Sequence, residues 1–563
     1  MDMEKPKPET NFWLLFAAGV VAVIILAAIR WSLDHPYGTS WDEAEYINQV
    51  LFDAQRLEHG MLLKLAGRIL VKSFPRPPAY RPLALPFLVL FGLHSASGRV
   101  LSLVCFALSA WFIYLSTRRI GSRVAGAFAV LIFALSPEVV SASMWLSTEG
   151  PLYLATSAML YFLFAGWTDE SQPRGNWVGL GLAMGLGLLS KASFVLIGLP
   201  VLAFGFALAR WKRPAFPSTV TLSKAGALAL VVAGPWWLLN IKPAIVGVRM
   251  ARGFAPDSLG PPSLVTWLHW FHTVLQSLLG HGLSILIGLV VVAFFWKAVI
   301  RSETNLDSLQ KAALSACTCA GLPIVLAQLT GTNHLLRHIS PAVIPLAIAM
   351  GILSDRAGWL HSKAAIAASS VLLCGQLILI VYPAFFPNTQ AVDSGLVNGR
   401  LPWRVMFRRD QWDWRPVQDI AQRCGVPAPA ISFLGYADGY SPPQIQFPWA
   451  LKGASTNHAV LDFPDVTWLW RYDEGPINWQ KVMDSAGRSD IVLTAPHCSG
   501  DMNDDLNNQH NAEFVDRLSR DPDFQAPIRL QMGRFEPVEV DVFVKKSLTC
   551  GRGQGASISQ LPK

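Results

Sequence analysis

The chain has 563 residues, of which 52% are hydrophobic and only 15% charged, with a mean hydropathy of +0.36. Soluble globular proteins carry roughly a quarter charged residues, so most of this chain is built for a bilayer rather than for water. The net charge of +8 comes without a dense basic run, which excludes a soluble nucleic-acid binder, and the apolar content excludes intrinsic disorder.

A spanning helix needs about 20 mostly apolar residues. The first such stretch is 12–29, preceded by Lys5 and Lys7 and followed by Arg30-Trp31. No small-residue cleavage site follows it, so it is expected to be retained, with a cytoplasmic N-terminus. A mixed stretch, 31–99, comes next and forms a large first outer loop. Its apolar piece 83–91 contains Pro86 and is too short to span. Further spans are expected at 100–115, 124–145, 152–167, 177–189, 192–209, 225–239, 283–299, 312–329, 339–353 and 364–381, roughly eleven in all. Arg118, Arg119 and Arg123, then Arg210, Lys212 and Arg213, then Lys297, Arg301 and Lys311, then Arg356 and Lys363 all fall on the N-terminal side. That alternation is what the positive-inside rule requires.

Residues 384–563 differ in kind. Short apolar or alternating runs at 430–436, 458–463, 490–496 and 538–544 read as strands between polar segments. The expected fold is an α-helical polytopic membrane protein (1–383) with a C-terminal soluble α/β or α+β domain (384–563) on the outer face. Cys424, Cys498 and Cys550 fall in this tail, which allows one disulfide with one thiol left over.

Five elements carry chemistry. Asp42, Glu43 and Glu45 lie in WDEAEY. They read either as the acidic first turn of a helix capped by Thr39-Ser40 or as a general base at the membrane surface. FPRPPAYRP sets Arg76 and Arg81 around a rigid turn, suited to headgroup snorkelling or to a phosphate. Glu149 in WLSTEGPLY is an acid at a span end, costly unless paired. Lys191 in GLLSKASF opposes the positive-inside trend and calls for an anionic partner, and Arg337-His338 in NHLLRHISP sits at another outer boundary. The topology puts all five on one face. In the tail, HCSGDMNDDLNNQH (His497, Cys498, Asp501, Asp504, Asp505, His510) fits neither a zinc motif nor an EF-hand and reads as a solvated loop. Trp403, Trp412, Trp414, Trp449, Trp468, Trp470 and Trp479 read as core or interface residues, or as platforms for sugar rings.

The order of RPPAYRPLALPFLVLFG, SGRVLSLVCFALSAWFIYLSTRRIG, the WLSTEGPLY segment, GLGLLSKASFVLIGLP, VVAGPWWLLN and LLRHISPAVIPLAIAMG resembles the GT-C glycosyltransferases. It is closest to the branch holding protein O-mannosyltransferases and lipid A aminoarabinose transferases. The resemblance covers about residues 10–355. It implies Asp42 as the catalytic acid of the first outer loop, with Glu43 completing the pair. Arg76 stands where the family has the Lys of a KPP motif, and Glu149 where it has the Asp of a TD pair. Ser190-Lys191 matches a Thr-Lys pair, and Arg337-His338 an Arg-Tyr pair. The implied activity is inverting transfer of a sugar from a polyprenyl-phosphate donor to a lipid, glycan or protein acceptor on the outer face of a bacterial inner membrane. The implied donor-phosphate ligands are Arg76, Arg81, Lys191, Arg337 and His338, and Asp42, Glu43 and Glu149 are the catalytic acids. No cofactor is called for, though a divalent metal is compatible with the acidic pair, and no nucleic-acid partner is expected. A flippase of lipid-linked glycans and a non-catalytic membrane scaffold are the competing readings. The spans show neither the midplane charges nor the inverted repeats usual in transporters.

Overall fold

In the computed structural model the described residues are 8–37, 41–71, 76–168, 173–211, 218–253, 264–301, 306–330, 336–385, 412–435, 440–455, 463–470, 476–495, 504–533, 538–548 and 550. The chain divides into two compact units. The first comprises Met1–Asp34, Leu62–Pro86 and Gly98–Phe407; the second comprises His35–Met61, Phe87–Ser97 and Arg408–Lys563.

The first unit is a helical membrane body. Among the described residues seven helices are long and apolar enough to cross a bilayer, or eight if one bent pair counts as a span, against the eleven expected. The expected spans 152–167, 177–189 and 339–353 are helical too, in α8 (Glu149–Thr168), α9 (Pro173–Ser190) and α15 (Val343–Arg356), but are not among the seven. The bent pair corrects one expectation. Residues 124–145 form two helices, α6 (Arg123–Ala134) and α7 (Pro137–Met144), with a 67° bend between them. Pro137 is the cause: it has no N–H to donate to the preceding turn and its ring clashes there, so it starts a new helix instead. The Ser136 hydroxyl donates to the Leu278 carbonyl at the break.

Close helix packing in this unit rests on small residues, as is usual where lipid competes for apolar surfaces. A Cβ at Gly351 of α15 would lie 2.7 Å from the Ala125 carbonyl oxygen of α6. The glycines of α9 do the same against α11 (Thr219–Gly253), where Cβ atoms at Gly181 and Gly185 would meet Ala225 and Val232 at 2.8 Å. The Gly-rich sequence of α9 therefore fixes where its C-terminal end is held.

The second unit is built on a five-stranded sheet of order β2-β1-β3-β5-β4. Its strands are β1 (Ala430–Leu434), β2 (Asp465–Trp468), β3 (Ile491–Thr494), β4 (Ile528–Met532) and β5 (Val538–Val544). β1 pairs parallel with β2 and β3, while β5 is antiparallel to β3 and β4. Alternation along the strands supplies two cores. On one face Phe433, Leu493 and Val542 pack with α17 (Arg415–Arg423) and α18 (Pro442–Ser455). On the other, Leu434, Val492 and Phe543 pack with α19 (Trp479–Ala486) and α20 (Asp504–Arg520). The expected strands at 430–436, 490–496 and 538–544 correspond to β1, β3 and β5. Most of 458–463 lies outside the described residues, β2 follows it at Asp465, and β4 was not anticipated. Cys424 and Cys550 form a disulfide across 126 residues.

The boundary expected near residue 384 leaves out part of this unit. Helix α2 (Trp41–Glu58) packs on α18, with Asn48 Nδ2 donating to the Pro443 carbonyl at 2.8 Å and Phe52 edge-on to Phe463 at 4.7 Å. Upstream, Tyr37 meets Phe447 at 6.1 Å and lies under the Arg415 guanidinium at 5.5 Å. Burial first, and then the Asp413 carboxylate, push the Tyr37 phenol up to about 12, so it stays neutral in this contact.

Candidate functional site

The site in the helical unit is assembled at helix ends. Glu149 is the first residue of α8 and only 2% exposed; a carboxylate there is favoured by the helix N-terminus. Its Oε1 accepts from Lys191 Nζ at 2.6 Å, and its Oε2 accepts from the Thr148 hydroxyl at 3.3 Å. The anionic partner that Lys191 was expected to need is therefore Glu149. Lys191 follows α9 in extended conformation before a 3-10 turn, Ala192–Phe194, which lets its side chain leave the helix line.

The Lys191 ammonium also lies 3.1 Å from His338 Nδ1. Lysine has only donors, so this nitrogen is the acceptor and the imidazole proton resides on Nε2. Arg337 and His338 belong to a 3-10 turn, Leu336–His338, tied down by Ser340, whose hydroxyl donates to the Arg337 carbonyl at 2.9 Å. Ser340 is in turn hydrogen-bonded to the buried Tyr153 hydroxyl, one turn beyond Glu149 on α8. The RPP turn is fixed by the Ala79 N–H, which donates to the Leu189 carbonyl at 2.9 Å. That bond anchors the segment carrying Arg76 two residues before Lys191.

These cations act on one another. Burial holds the Lys191 ammonium below the usual lysine range; Glu149 opposes that shift, and the Arg337 and Arg76 guanidiniums add to it. Lys191, Arg337 and Arg76 therefore share one neighbourhood with the Glu149 carboxylate.

The other expected residues fall elsewhere. Arg81 is fully buried and donates from Nη1 to the Arg68 carbonyl at 3.1 Å, capping α3 (Leu62–Val71). Asp42 and Glu43 are in the first turn of α2, in the second unit. Glu43 is 0% exposed while Asp42 is half-buried, so the two acids of the pair are not equivalent. Glu45 accepts from Gln49 Nε2 at 3.1 Å, an ordinary i,i+4 contact. Thr148, Tyr153 and Ser340 were not picked out from sequence; only the i,i+4 spacing of Tyr153 from Glu149 hinted at them.

In the tail, His497, Cys498, Asp501 and Trp403 lie outside the described residues. Among the described residues no group of three or more His, Cys, Asp or Glu is placed to hold a metal ion. Trp412, Trp414, Trp449 and Trp470 are buried. Trp412 and Trp414 stack on Tyr440 at 5.7 and 5.6 Å, which makes them core.

Comparison with known proteins agrees with this architecture. Residues 75–239 match the family described as dolichyl-phosphate-mannose-protein mannosyltransferase. No curated protein matches the sequence. Among solved structures, ArnT from Cupriavidus metallidurans in the apo state aligns with a TM-score of 0.57 at 14% identity, covering 94% of this chain and 98% of that one. The same protein bound to undecaprenyl phosphate aligns at 0.55 and 14% identity, over 95% and 98%. The arabinofuranosyltransferase AftD from Mycobacteria aligns at 0.51 and 15% identity, covering 94% of this chain and 40% of that one. The fold is that of the GT-C integral-membrane glycosyltransferases, as the motif order implied.

Proposed function

From this fold and this cluster we propose that the protein transfers a sugar from a polyprenyl-phosphate donor to an acceptor on the outer membrane face. The observation that carries the reading is the buried Glu149–Lys191–His338 cluster, with Arg337 and Arg76 close enough to act on the Lys191 ammonium. In a transfer that breaks the bond between an anomeric carbon and a phosphate oxygen, negative charge develops on that oxygen. Preorganised cations at that point contribute on the order of 3 kcal/mol each. Lys191, Arg76 and Arg337 hold the departing phosphate, and Glu149 keeps the Lys191 ammonium charged and aimed.

The base is Asp42, on the strength of the sequence resemblance and of its partial exposure. It takes the proton of the acceptor hydroxyl as the oxygen attacks C1 from the face opposite the phosphate, so the configuration inverts. A base in this role contributes about 10²–10⁴ in rate. The solved complex of ArnT, a protein of the same fold, with undecaprenyl phosphate supports a polyprenyl carrier. The chain's cysteine pair, closed as a disulfide, supports placing the tail in an oxidising extracytoplasmic compartment.

The test is reconstitution of the full-length protein in liposomes, with cell-envelope glycans from strains with and without it compared by mass spectrometry. Asp42→Asn is expected to keep binding of undecaprenyl phosphate and lose transfer by about 10²–10⁴. Full activity in that variant removes Asp42 as the base, and net lipid flipping without covalent product overturns the whole reading.

A further inference from the structure

The sheet unit carries a second feature, separate from the charged cluster. The connection from β1 through α18 leads to β2 on one side of β1, and the return through α19 leads to β3 on the other. β1 and β3 are thus parallel neighbours whose connections diverge. In open α/β sheets, small ligands bind outside the carboxyl ends of strands at such a switch point. Here β1 runs out into Gly435, at φ +112°, a conformation open to glycine. β3 ends on Thr494, paired with Leu434 on one side and with Asp541 of β5 on the other.

The side chains over this edge are polar, buried and unsatisfied. Thr494 sits on the same sheet face as Val492, and Asn511 of α20 shares a helical face with Phe514 and Leu518, which pack in that core. A Cβ at Gly435 would lie 3.0 Å from Asn511 Nδ2 and 3.1 Å from its Oδ1, so the amide rests directly on the end of β1. Thr494 and Asn511 are both 0% exposed. Among the described residues, neither the Thr494 hydroxyl nor either amide atom of Asn511 has a hydrogen-bond partner. His510 Nδ1, one residue earlier, has none either, and its ring meets Trp470 edge-on at 4.7 Å and Trp479 at 6.0 Å. Buried polar groups are nearly always satisfied in native proteins, and exceptions ask for a reason.

We propose that this edge binds a neutral polyhydroxylated ring, such as one sugar residue, through Asn511 and Thr494. The chemistry selects that class. An amide presents two donors and an acceptor, and a threonine hydroxyl presents both functions, which matches vicinal hydroxyls. Asp541, paired with Thr494 across β3 and β5 and 3.6 Å from Arg529 Nε, adds an acceptor, and the two recognising side chains carry no charge.

The test uses the full-length protein in detergent and a panel of free hexoses, pentoses and 2-acetamido-hexoses up to tens of millimolar, read by saturation-transfer NMR. At least one sugar is expected to bind saturably, and Asn511→Leu and Thr494→Val each to weaken it at least about tenfold. Without ligand, Asn511→Leu is expected to raise the melting temperature, because it removes an unsatisfied group without leaving a cavity. No saturable sugar, binding that survives both variants, or a lower melting temperature for Asn511→Leu each overturns the proposal; the last result makes Asn511 a structural residue.

Discussion

Glu149 and Asn511 are both almost wholly out of solvent, at 2% and 0%, yet they are held differently. Glu149 in the helical unit has a lysine on one oxygen and a threonine on the other. Asn511 in the sheet unit has nothing on either amide atom. A paired buried charge depends on its partner, because losing one member strands the other in a poorly solvating site. An unpaired neutral group lowers stability until something arrives to meet it. Glu149 is held by a pair inside the fold, whereas the Asn511 amide is buried with its hydrogen bonds unmade.

The largest effect that tests this contrast comes from Lys191→Met. It removes the ammonium from the buried Glu149 Oε1, so the helical unit should lose about 3–5 kcal/mol, measured by denaturant unfolding in detergent. Adding Glu149→Gln should restore most of that stability but no transfer; equal loss in the single and double variants would break the pairing argument. Cys424→Ser should cost about 2–5 kcal/mol, confined to the sheet unit and visible as earlier exchange of β1 and β3 amides while the membrane helices stay protected. Tyr153→Phe strips the Ser340 hydroxyl of its partner on α8 and should cost about 1–3 kcal/mol, together with weaker polyprenyl-phosphate binding through the loosened Arg337 turn. The smallest effect is on His510, whose imidazole is held below its ordinary value by burial, with Glu513 opposing. The unfolded chain then takes up the proton first, so the sheet unit should lose stability as pH falls from about 7 to about 5. His510→Phe should flatten that slope in thermal melts.

Much of the helical unit could be read from the chain, because the length of an apolar stretch is a local property. Glu149 and Lys191 stood out since each is a charge against the trend of its surroundings, and the structure pairs them. The bend at Pro137 was missed in reading 124–145 as one span, although a proline at the start of PEVV cannot continue a helix. What escaped was set by tertiary neighbours. Tyr153 and Ser340 are 187 residues apart, and nothing in either stretch points to the other. The allegiance of α2 to the tail depends on α18, far along the chain. The open edge was invisible because lacking a partner is a property of the folded surroundings and not of Asn or Thr.

That allegiance bears on how the protein is made. Helix α2 leaves the ribosome early, between the first membrane helix and the next, while α18 and the sheet follow only after the last membrane helix. During most of synthesis, the apolar stripe of α2 formed by Ala44, Ile47, Leu51 and Ala54 has no sheet unit to cover it. Cys424 waits in the same way for Cys550, near the end of the chain. The sheet unit can therefore close only after Cys550 has been synthesised, and a chain truncated just before Cys550 should be retained by quality control with its membrane helices already inserted.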